Sequence, residues 1–309
     1  MIRVAGFNTS LDRYVELDRL QVGEVQRIKR VEVNPGGKGL HVAVLCSAFS
    51  EPVKLVGITD ARHRELIAKF LRSRDVTFEA VEVSGDVRTC LAIRETDGVI
   101  TELLEPGPEL KASECDQLVS AMTSEIDSND IAVLSGSLPG GFEPAAYVEI
   151  LTRLKKIGIR TCVDASGDLL KDLLKHRPYL VKLNRDEASA TLGRKICTVT
   201  DAVEAARSVM QPDIACVVIS LGSEGLVALH EEHIWHFSTP NEESLNAVGA
   251  GDCLLGGIVV ALARDATMEN ALKLGTACGA TKVRSSETGF LRIEEVESIL
   301  PTVSMQTLD

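Results

Sequence analysis

The chain has 309 residues, of which 45% are hydrophobic and 25% charged, and its formal net charge is −12 at pH 7. This composition indicates a globular protein with a substantial core, in one large α/β domain or two smaller ones. The negative charge argues against nucleic acid as the main partner, since such binders usually carry a basic face. It still allows an anionic small molecule, because a cationic pocket can form on an acidic protein.

The eight cysteines are scattered and include no CxxC pair, and no histidine cluster accompanies them, which argues against zinc. Several lie in apolar runs, as buried free thiols do, and they indicate a reducing cytoplasm. The stretch MIRVAGFNTSLDR has no charged leader before a long apolar core, so no signal peptide is expected. No run of about 18 apolar residues occurs, so no membrane partner is expected.

Short β-type runs alternate with stretches whose apolar residues recur at helical spacing. The predicted strands of the main sheet are 2–6, 53–58, 130–136, 160–165, 179–184 and 215–222. The predicted helices are 39–49, 62–73, 113–126, 144–156, 200–210, 251–263, 268–283 and 292–299. Apolar strands alternating with amphipathic helices build βαβ units, so we predict an α/β fold with a mainly parallel sheet covered on both faces.

Two segments interrupt this alternation. Residues 12–33 resemble two strands around a turn at Gly23, and residues 87–104 carry the hairpin signal Asp97-Gly98 between β-type runs. The preferred interpretation is a small separate sheet, built from both segments, that stands off the main sheet as a lid. The alternative is that both are edge hairpins of the main sheet.

Two glycine motifs each precede a predicted helix. In NPGGKG (34–39) the glycines permit positive φ and close approach of the backbone to a ligand, and free N–H groups at a helix N-terminus favour an anion or a hydroxyl. A purely structural turn explains this motif equally well. The spacings of a Walker A loop and of G-x-G-x-x-G are both absent.

The second motif, NAVGAGDCLLGG (246–257), places Asp252 between two glycines and an apolar helix. An aspartate there can simply be an N-terminal cap. The functional alternative is that the amides hold a developing negative charge while Asp252 takes a proton from a nearby hydroxyl. That combination suits transfer of a phosphoryl group to an alcohol.

These motifs, taken together, resemble those of the PfkB sugar kinases of the ribokinase-like superfamily. The further matches, in the family's order over nearly the whole chain, are SLD (10–12), SGSLPGG (135–141), VDASGDLL (163–170), KLNRDE (182–187) and SLGSEG (220–225). The resemblance implies a ribokinase-like three-layer α/β/α sandwich, with 1–309 as a single kinase domain that includes the lid. VRTCLAI (87–93) and TELLEPGPE (101–109) are most similar to the phosphosugar branch, which contains the 1-phosphofructokinases and tagatose-6-phosphate kinases.

The resemblance also implies residue roles. Asp252 would be the catalytic base, and the loop Gly249, Ala250 and Gly251 would provide the anion hole, with the amide of Asp252 itself. Asn184 and Glu187 would organise Mg²⁺ through water, since this ion keeps several of its waters. The nucleotide would be bordered by Lys182, Asn184, Glu187, Ser220, Gly222, Gly225, Ser244 and Val248.

On the sugar side, the implied contacts are Asp12, Gly36, Gly37, His41, Arg88 and Ser137. Arg88 would hold the phosphate of the substrate, because a guanidinium fork fits phosphate geometry. His41 stands where the family has asparagine, and its charge can depend on pH. Leu183 replaces the usual proline, and 286–289 departs from the family pattern near the adenine.

We therefore expect an ATP-dependent, Mg²⁺-assisted kinase of a ketohexose phosphate, cytoplasmic and dimeric through the lid. Tagatose 6-phosphate and fructose 1-phosphate are the leading substrates, followed by fructose 6-phosphate. One alternative is a kinase of an unphosphorylated sugar, nucleoside or cyclitol. The alternative from another class is a catalytically silent regulator that binds a sugar or nucleotide.

Overall fold

The computed structural model describes residues 1–240, 245–285 and 290–308. The strands are β1 Ile2–Gly6, β2 Ser10–Leu17, β3 Arg30–Gly36, β4 Val53–Thr59, β5 Val76–Glu82, β6 Arg88–Glu95, β7 Ile100–Leu104, β8 Ile131–Ser135, β9 Arg160–Asp164, β10 Leu180–Asn184, β11 Cys216–Ser220, β12 Leu226–His230, β13 His233–Ser238 and β14 Ser304–Leu308. The helices are α1 Lys38–Ala48, α2 Arg64–Arg72, α3 Ala112–Thr123, α4 Pro144–Lys156, α5 Gly167–Lys175, α6 Arg185–Leu192, α7 Val199–Val209, α8 Ala250–Ala263, α9 Met268–Val283 and α10 Ile293–Ile299.

The large sheet has the strand order β14-β13-β12-β11-β10-β9-β8-β1-β4-β5. From β5 to β11 all neighbouring strands are parallel, whereas β12, β13 and β14 are added antiparallel at one edge. The prediction of a mainly parallel sheet is confirmed. Parallel neighbours need crossover connections, and the helices between the strands provide them.

Helices cover both faces of this sheet, as predicted. Central strands such as β8 are buried along their whole length, which explains why they read as continuous apolar runs. Alternate residues serve opposite faces: Val4 packs in the layer that contains α1 and α8, and Ala5 packs in the layer that contains α3 and α4. No helix in the described part of the chain is long and apolar enough to cross a membrane.

The two irregular segments form a second sheet of order β3-β2-β6-β7. The parallel pairing of β2 with β6 joins the two segments, which are far apart in sequence. Among the described residues, none of these strands pairs with the large sheet, so the separate small sheet is confirmed and the edge-hairpin alternative is wrong. Gly98, at the predicted Asp97-Gly98 turn between β6 and β7, has φ 90°, which glycine adopts readily.

Several elements were not predicted. They include β5, β14 and the short helices α5 and α6. The added strands are short, at five to seven residues, and they pair at the edges of the sheet, where the partner strand rather than the local pattern decides the conformation. The first lid segment also differs in detail, because Gly23 lies in the irregular connection between β2 and β3.

Candidate active site

A cleft of about 1070 Å³ lies between the small sheet and the carboxyl ends of the parallel strands β8 to β11, the usual ligand position in such sheets. The predicted site residues that line it are Asp12, Gly37, His41, Arg88, Ser137, Lys182, Asn184, Glu187, Ser220, Gly222, Gly225, Val248, Gly249, Ala250, Gly251 and Asp252. Gly36 is buried behind Asp12, where an added Cβ would lie 2.0 Å from the carboxylate. Ser244 and 286–289 lie outside the described residues.

Helix α8 begins at the floor of this cleft. Gly249 precedes it with φ 83°, a left-handed conformation that is strained for residues with a side chain. Asp252 lies in the first turn, where the helix dipole favours a carboxylate, and is buried. The N–H of Ala250 donates to Ala247 O at 3.1 Å. Among the described residues, the amides of Gly251 and Asp252 therefore remain available from the predicted anion hole.

Asp252 is connected to the small sheet through His41. Nδ1 of His41 lies 2.9 Å from Oδ2 of Asp252, and Nε2 lies 3.3 Å from Oδ2 of Asp12. The other oxygen of Asp12 accepts from Ser10 Oγ at 2.6 Å. Burial alone would raise the pKa of Asp12, but the bonds from His41 and Ser10 outweigh it and hold the pKa below its usual range. Helices α1 and α8 and strand β2 thus meet at one polar cluster.

A second polar cluster lies beside it. Asp164, at the end of β9, accepts from Lys38 Nζ at 3.1 Å and from Lys182 Nζ at 2.8 Å, and Lys38 also donates to Glu187 at 2.8 Å. Burial would raise the pKa of Asp164, but the two ammonium groups hold it below its usual range. With all four groups ionised, their charges cancel. An added Cβ at Gly251 would lie 2.8 Å from Lys182 Nζ, so this cluster adjoins the start of α8.

Lys38 and Asp164 were not among the predicted site residues. Both lie in motifs that the sequence displays, the lysine within GGKG and the aspartate within VDASGDLL. The available signal was position, since Asp164 ends a buried strand at the edge of the sheet where ligands bind.

Asn184 and Glu187 form a capping box at the start of α6. Asn184 Oδ1 accepts from the N–H of Glu187, and Glu187 Oε2 accepts from the N–H of Asn184, both at 2.8 Å. Glu187 Oε1 accepts from Lys38. Within the described residues, no three acidic, histidine or cysteine side chains converge as a metal cluster. Carboxylate oxygens retain further lone pairs, so these residues fit Mg²⁺ held through its waters rather than by direct ligation.

The far end of the cleft lies at β11 and the short 3-10 turn Gly222–Glu224. Gly225 follows the turn with φ 85°, and an added Cβ there would lie 1.9 Å from the carbonyl oxygen of Phe237. Ser220 Oγ donates to Leu183 O at 3.4 Å, and the N–H of Val248 donates to Asn246 Oδ1 at 3.0 Å. The predicted nucleotide residues Ser220, Gly222, Gly225 and Val248 all line this cleft.

The small sheet forms the end of the cleft opposite to β11. Arg88 is half-buried and donates to the carbonyl oxygens of Asn8 at 3.1 Å and Glu105 at 3.2 Å. No described carboxylate lies within ion-pair distance of Arg88, so its charge is available to an anion. Ser137 accepts from Asn8 Nδ2 at 3.1 Å. Tyr14, which sequence reasoning did not select, lines the same end with a buried hydroxyl that has no partner in the described structure.

A sequence profile of the pfkB family carbohydrate kinases matches residues 6–295, which is most of the chain. The chain belongs to the pfkB family of carbohydrate kinases. The family resemblance predicted from the motifs is thus confirmed, and so is the enzyme class, a phosphotransferase with an alcohol acceptor. Membership in a kinase family implies ATP as the phosphoryl donor.

Similar proteins cover almost the whole of this PfkB chain. Tagatose-6-phosphate kinase of Staphylococcus epidermidis is 31% identical over 310 residues, with 99% of both chains covered. Phosphofructokinase-2 of Escherichia coli, solved with substrates and products, superposes with a TM-score of 0.91 at 27% identity over 97% of this chain and 98% of that one. A tetrameric inhibited form of the same enzyme superposes with a TM-score of 0.87 at 26% identity, with the same coverage of both chains. The predicted ribokinase-like fold is confirmed.

Proposed function

We propose that this protein transfers the γ-phosphoryl group of ATP to a hydroxyl of a ketohexose phosphate. The observation that supports the proposal is the placement of Asp252, Asp12 and Arg88 in one cleft: a buried acid at a helix N-terminus, a second acid on β2, and an arginine with no carboxylate at ion-pair distance among the described residues. The names of the similar kinases support a phosphosugar. Tagatose 6-phosphate and fructose 1-phosphate are the first candidates, and fructose 6-phosphate is the next.

In the proposed reaction, Asp12 orients the sugar and Asp252 accepts the proton of the attacking hydroxyl. The hydroxyl oxygen forms a bond to the γ-phosphorus while the bond between that phosphorus and the β–γ bridging oxygen breaks, and ADP leaves. The amides of Gly251 and Asp252, at the positive end of α8, stabilise the charge that develops on the transferred group. Catalysis of this kind is mainly positioning and charge stabilisation.

The phosphates of ATP need additional positive charge. The cluster of Lys38, Lys182, Asp164 and Glu187 has no net charge, so it cannot neutralise a triphosphate alone. Mg²⁺, held through its waters by Asn184 and Glu187, would supply charge that offsets the phosphate oxygens. Glu187 also positions Lys38, whose pKa is raised above its usual range because the attraction of the surrounding carboxylates outweighs the cost of burial.

Arg88→Ala is expected to raise KM for the sugar phosphate about 10- to 100-fold, because a charged hydrogen bond to the substrate phosphate contributes about 1.5–3 kcal/mol. Arg88→Lys should recover only part of this, since lysine keeps the charge but loses the planar fork. The measurement is an ATPase-coupled assay over a panel of sugar phosphates and free sugars.

The matched control is Arg94→Ala, which removes the same charge from the same strand next to Glu16 instead of the cleft. Its KM should stay within twofold of wild type. An unchanged KM in Arg88→Ala, or turnover of an unphosphorylated sugar, nucleoside or cyclitol instead, would overturn the phosphosugar assignment. No turnover on any member of the panel would favour the silent binder.

We also propose that the chain acts as one kinase domain with the small sheet as its lid, and that two copies associate through that lid. Val33, Leu91 and Leu103 lie in register across β3, β6 and β7, on the face opposite to Asp12. Val33 and Leu103 are exposed, which is unfavourable for a face that stays in water. The eight free cysteines, six of them buried, fit the proposed reducing cytoplasm.

Leu103→Asp is expected to convert a dimer into a monomer, because a buried charge at an apolar contact is strongly unfavourable. Light scattering after gel filtration, at several protein concentrations, measures the mass. Leu66→Asp, which alters an exposed leucine on α2 instead, is the control and should leave the mass unchanged. A wild-type monomer, or a Leu103→Asp protein that is still dimeric, would contradict association through the lid.

A further inference from the structure

His41 occupies an unusual position between two acidic side chains. It lies one turn into α1 and is only 5% exposed. Its two ring nitrogens face different carboxylates, Nδ1 towards Asp252 at 2.9 Å and Nε2 towards Asp12 at 3.3 Å. The ring therefore joins the small sheet to the N-terminus of α8, through a hydrogen bond at Nδ1 and a contact at ion-pair distance at Nε2.

The two acidic contacts of His41 favour one protonation state of its ring. An ionised carboxylate can only accept hydrogen bonds, and a neutral imidazole carries one N–H. A neutral His41 would therefore place a nitrogen lone pair against a carboxylate oxygen at one of its two contacts. Only the imidazolium form presents an N–H to both Asp12 and Asp252. It also places one positive charge between two buried negative charges, which lowers the cost of burying them.

We propose that His41 is a positioning residue that, as an imidazolium, holds Asp12 and Asp252 at a fixed separation so that the bound hydroxyl faces its base. This inference rests on the proposed kinase function. During transfer, the hydroxyl proton moves to Asp252, and His41 keeps both of its protons. Because His41 binds Oδ2 of Asp252, Oδ1 of the same carboxylate is left for the hydroxyl.

The charges around the ring agree with this assignment. Burial by itself would lower the pKa of His41, but the hydrogen bonds to Asp12 and Asp252 outweigh it and raise the pKa to about 9. Glu102 on β7 adds further negative charge facing the ring. Two cations oppose this rise in the pKa of His41: Arg88 lies beside Asp12, and Lys38 lies beside Asp252. On its remaining side the ring meets the edge of uncharged Phe290 at 5.8 Å between centroids.

The direct test is ¹⁵N NMR of the histidine rings as a function of pH, with no substrate present. The signal of His41 is the one lost in His41→Asn. We expect both ring nitrogens to be protonated at pH 7.5 and a titration midpoint near 9. Asp12→Asn and Asp252→Asn should each lower the midpoint. A neutral ring at pH 7.5, or a midpoint that neither variant moves, would overturn the proposal whether or not the protein is a kinase.

The catalytic arm compares the pH profile of kcat in wild type, His41→Asn and His41→Gln, with circular dichroism to verify folding. In wild type, kcat should fall as His41 loses its proton above pH 9 or so. The substitutions should lower kcat about 10- to 100-fold at pH 7.5, as loss of alignment does, and should abolish this alkaline decline. The change in KM should be smaller.

His63→Asn is the matched control, because His63 contacts a single carboxylate, Asp60 at 2.9 Å, away from the cleft. His63→Asn should keep the wild-type pH profile of kcat. An alkaline decline that persists in His41→Asn overturns the positioning role, and so does a variant with unchanged kcat. If neither His41→Asn nor His41→Gln folds, the titration midpoint of His41 in Asp12→Asn and in Asp252→Asn still tests the proposal. If no sugar phosphate is turned over while His41 titrates near 9, the kinase assignment fails and the imidazolium bridge stands.

Discussion

Asp252→Asn is expected to lower kcat about 10²- to 10⁴-fold, the range that a positioned general base contributes. Asparagine preserves the shape of the side chain and can still accept the hydrogen bond from His41. What it cannot do is take the proton of the attacking hydroxyl. KM for the sugar phosphate should change far less, because Arg88 and Asp12 lie on the small sheet and remain in place. Steady-state rates over a range of sugar phosphate concentrations separate the two constants.

The matched control is Asp186→Asn. Asp186 also lies in the first turn of a helix and lines the same cleft, so the substitution removes an equal charge from an equivalent local position. Its kcat should stay within a few-fold of wild type. An Asp252→Asn enzyme that turned over substrate at the parental rate would refute the assigned base, and with it the proposed chemistry.

Asp164→Asn is expected to reduce the free energy of unfolding by about 3–5 kcal/mol, the usual effect of removing one partner from a buried ion pair. Asp164 is fully buried and Lys182 is 2% exposed, so the substitution leaves the Lys182 ammonium without a counter-charge in the core. Lys38 is less affected because it keeps Glu187. Urea unfolding followed by circular dichroism measures the change.

The double variant Asp164→Asn/Lys182→Met should recover much of the lost stability, since replacing both charges is far less costly than removing one. Asp168→Asn removes an exposed partner of Lys171 and should leave the unfolding midpoint unchanged. A single variant as stable as wild type, or a double variant less stable than the single, would contradict a charge-compensated core.

The loss of unfolding free energy in Asp164→Asn is expected to become smaller as the pH falls. The folded state holds the pKa of Asp164 below its unfolded value. Its stabilising contribution is therefore present above the unfolded pKa of 3.8 and is lost as pH falls through the lowered native value. The stability difference between wild type and Asp164→Asn should be constant near neutral pH and should narrow in acid.

The order of the central strands and helices was predictable because their apolar periodicity is a local property of the sequence. Strands 53–58 and 179–184 were placed to within one residue of β4 and β10. The hairpin around Asp97-Gly98 was predictable for the same reason, since two adjacent turn residues suffice to specify it. By contrast, β14 is a five-residue edge strand of mostly exposed residues, and only its pairing with β13 makes it a strand.

Some residues of the candidate site could likewise be predicted from the sequence, and others could not. The residue pattern around Asp252 indicated its chemistry directly, whereas Arg88 and the NPGGKG turn were identified through the resemblance of their motifs to the family. Lys38 and Asp164 lie in motifs that the sequence displays and Tyr14 was not selected at all, but the contacts of all three depend on what faces them across the cleft. The capping box of Asn184 and Glu187 illustrates a residue pair that serves helix initiation and lines the cleft as well.

By itself, the sequence determined the class of fold and the position of the acid at the start of α8, since these follow from short-range patterns of apolar residues, glycines and charge, and the order of its motifs identified the family by resemblance. Only the tertiary structure decided that the two irregular segments form one small sheet and that His41 lies between Asp12 and Asp252. The reason is physical: these contacts join residues more than 200 positions apart in the case of His41 and Asp252, and their energies depend on distance and burial, which only the folded chain defines.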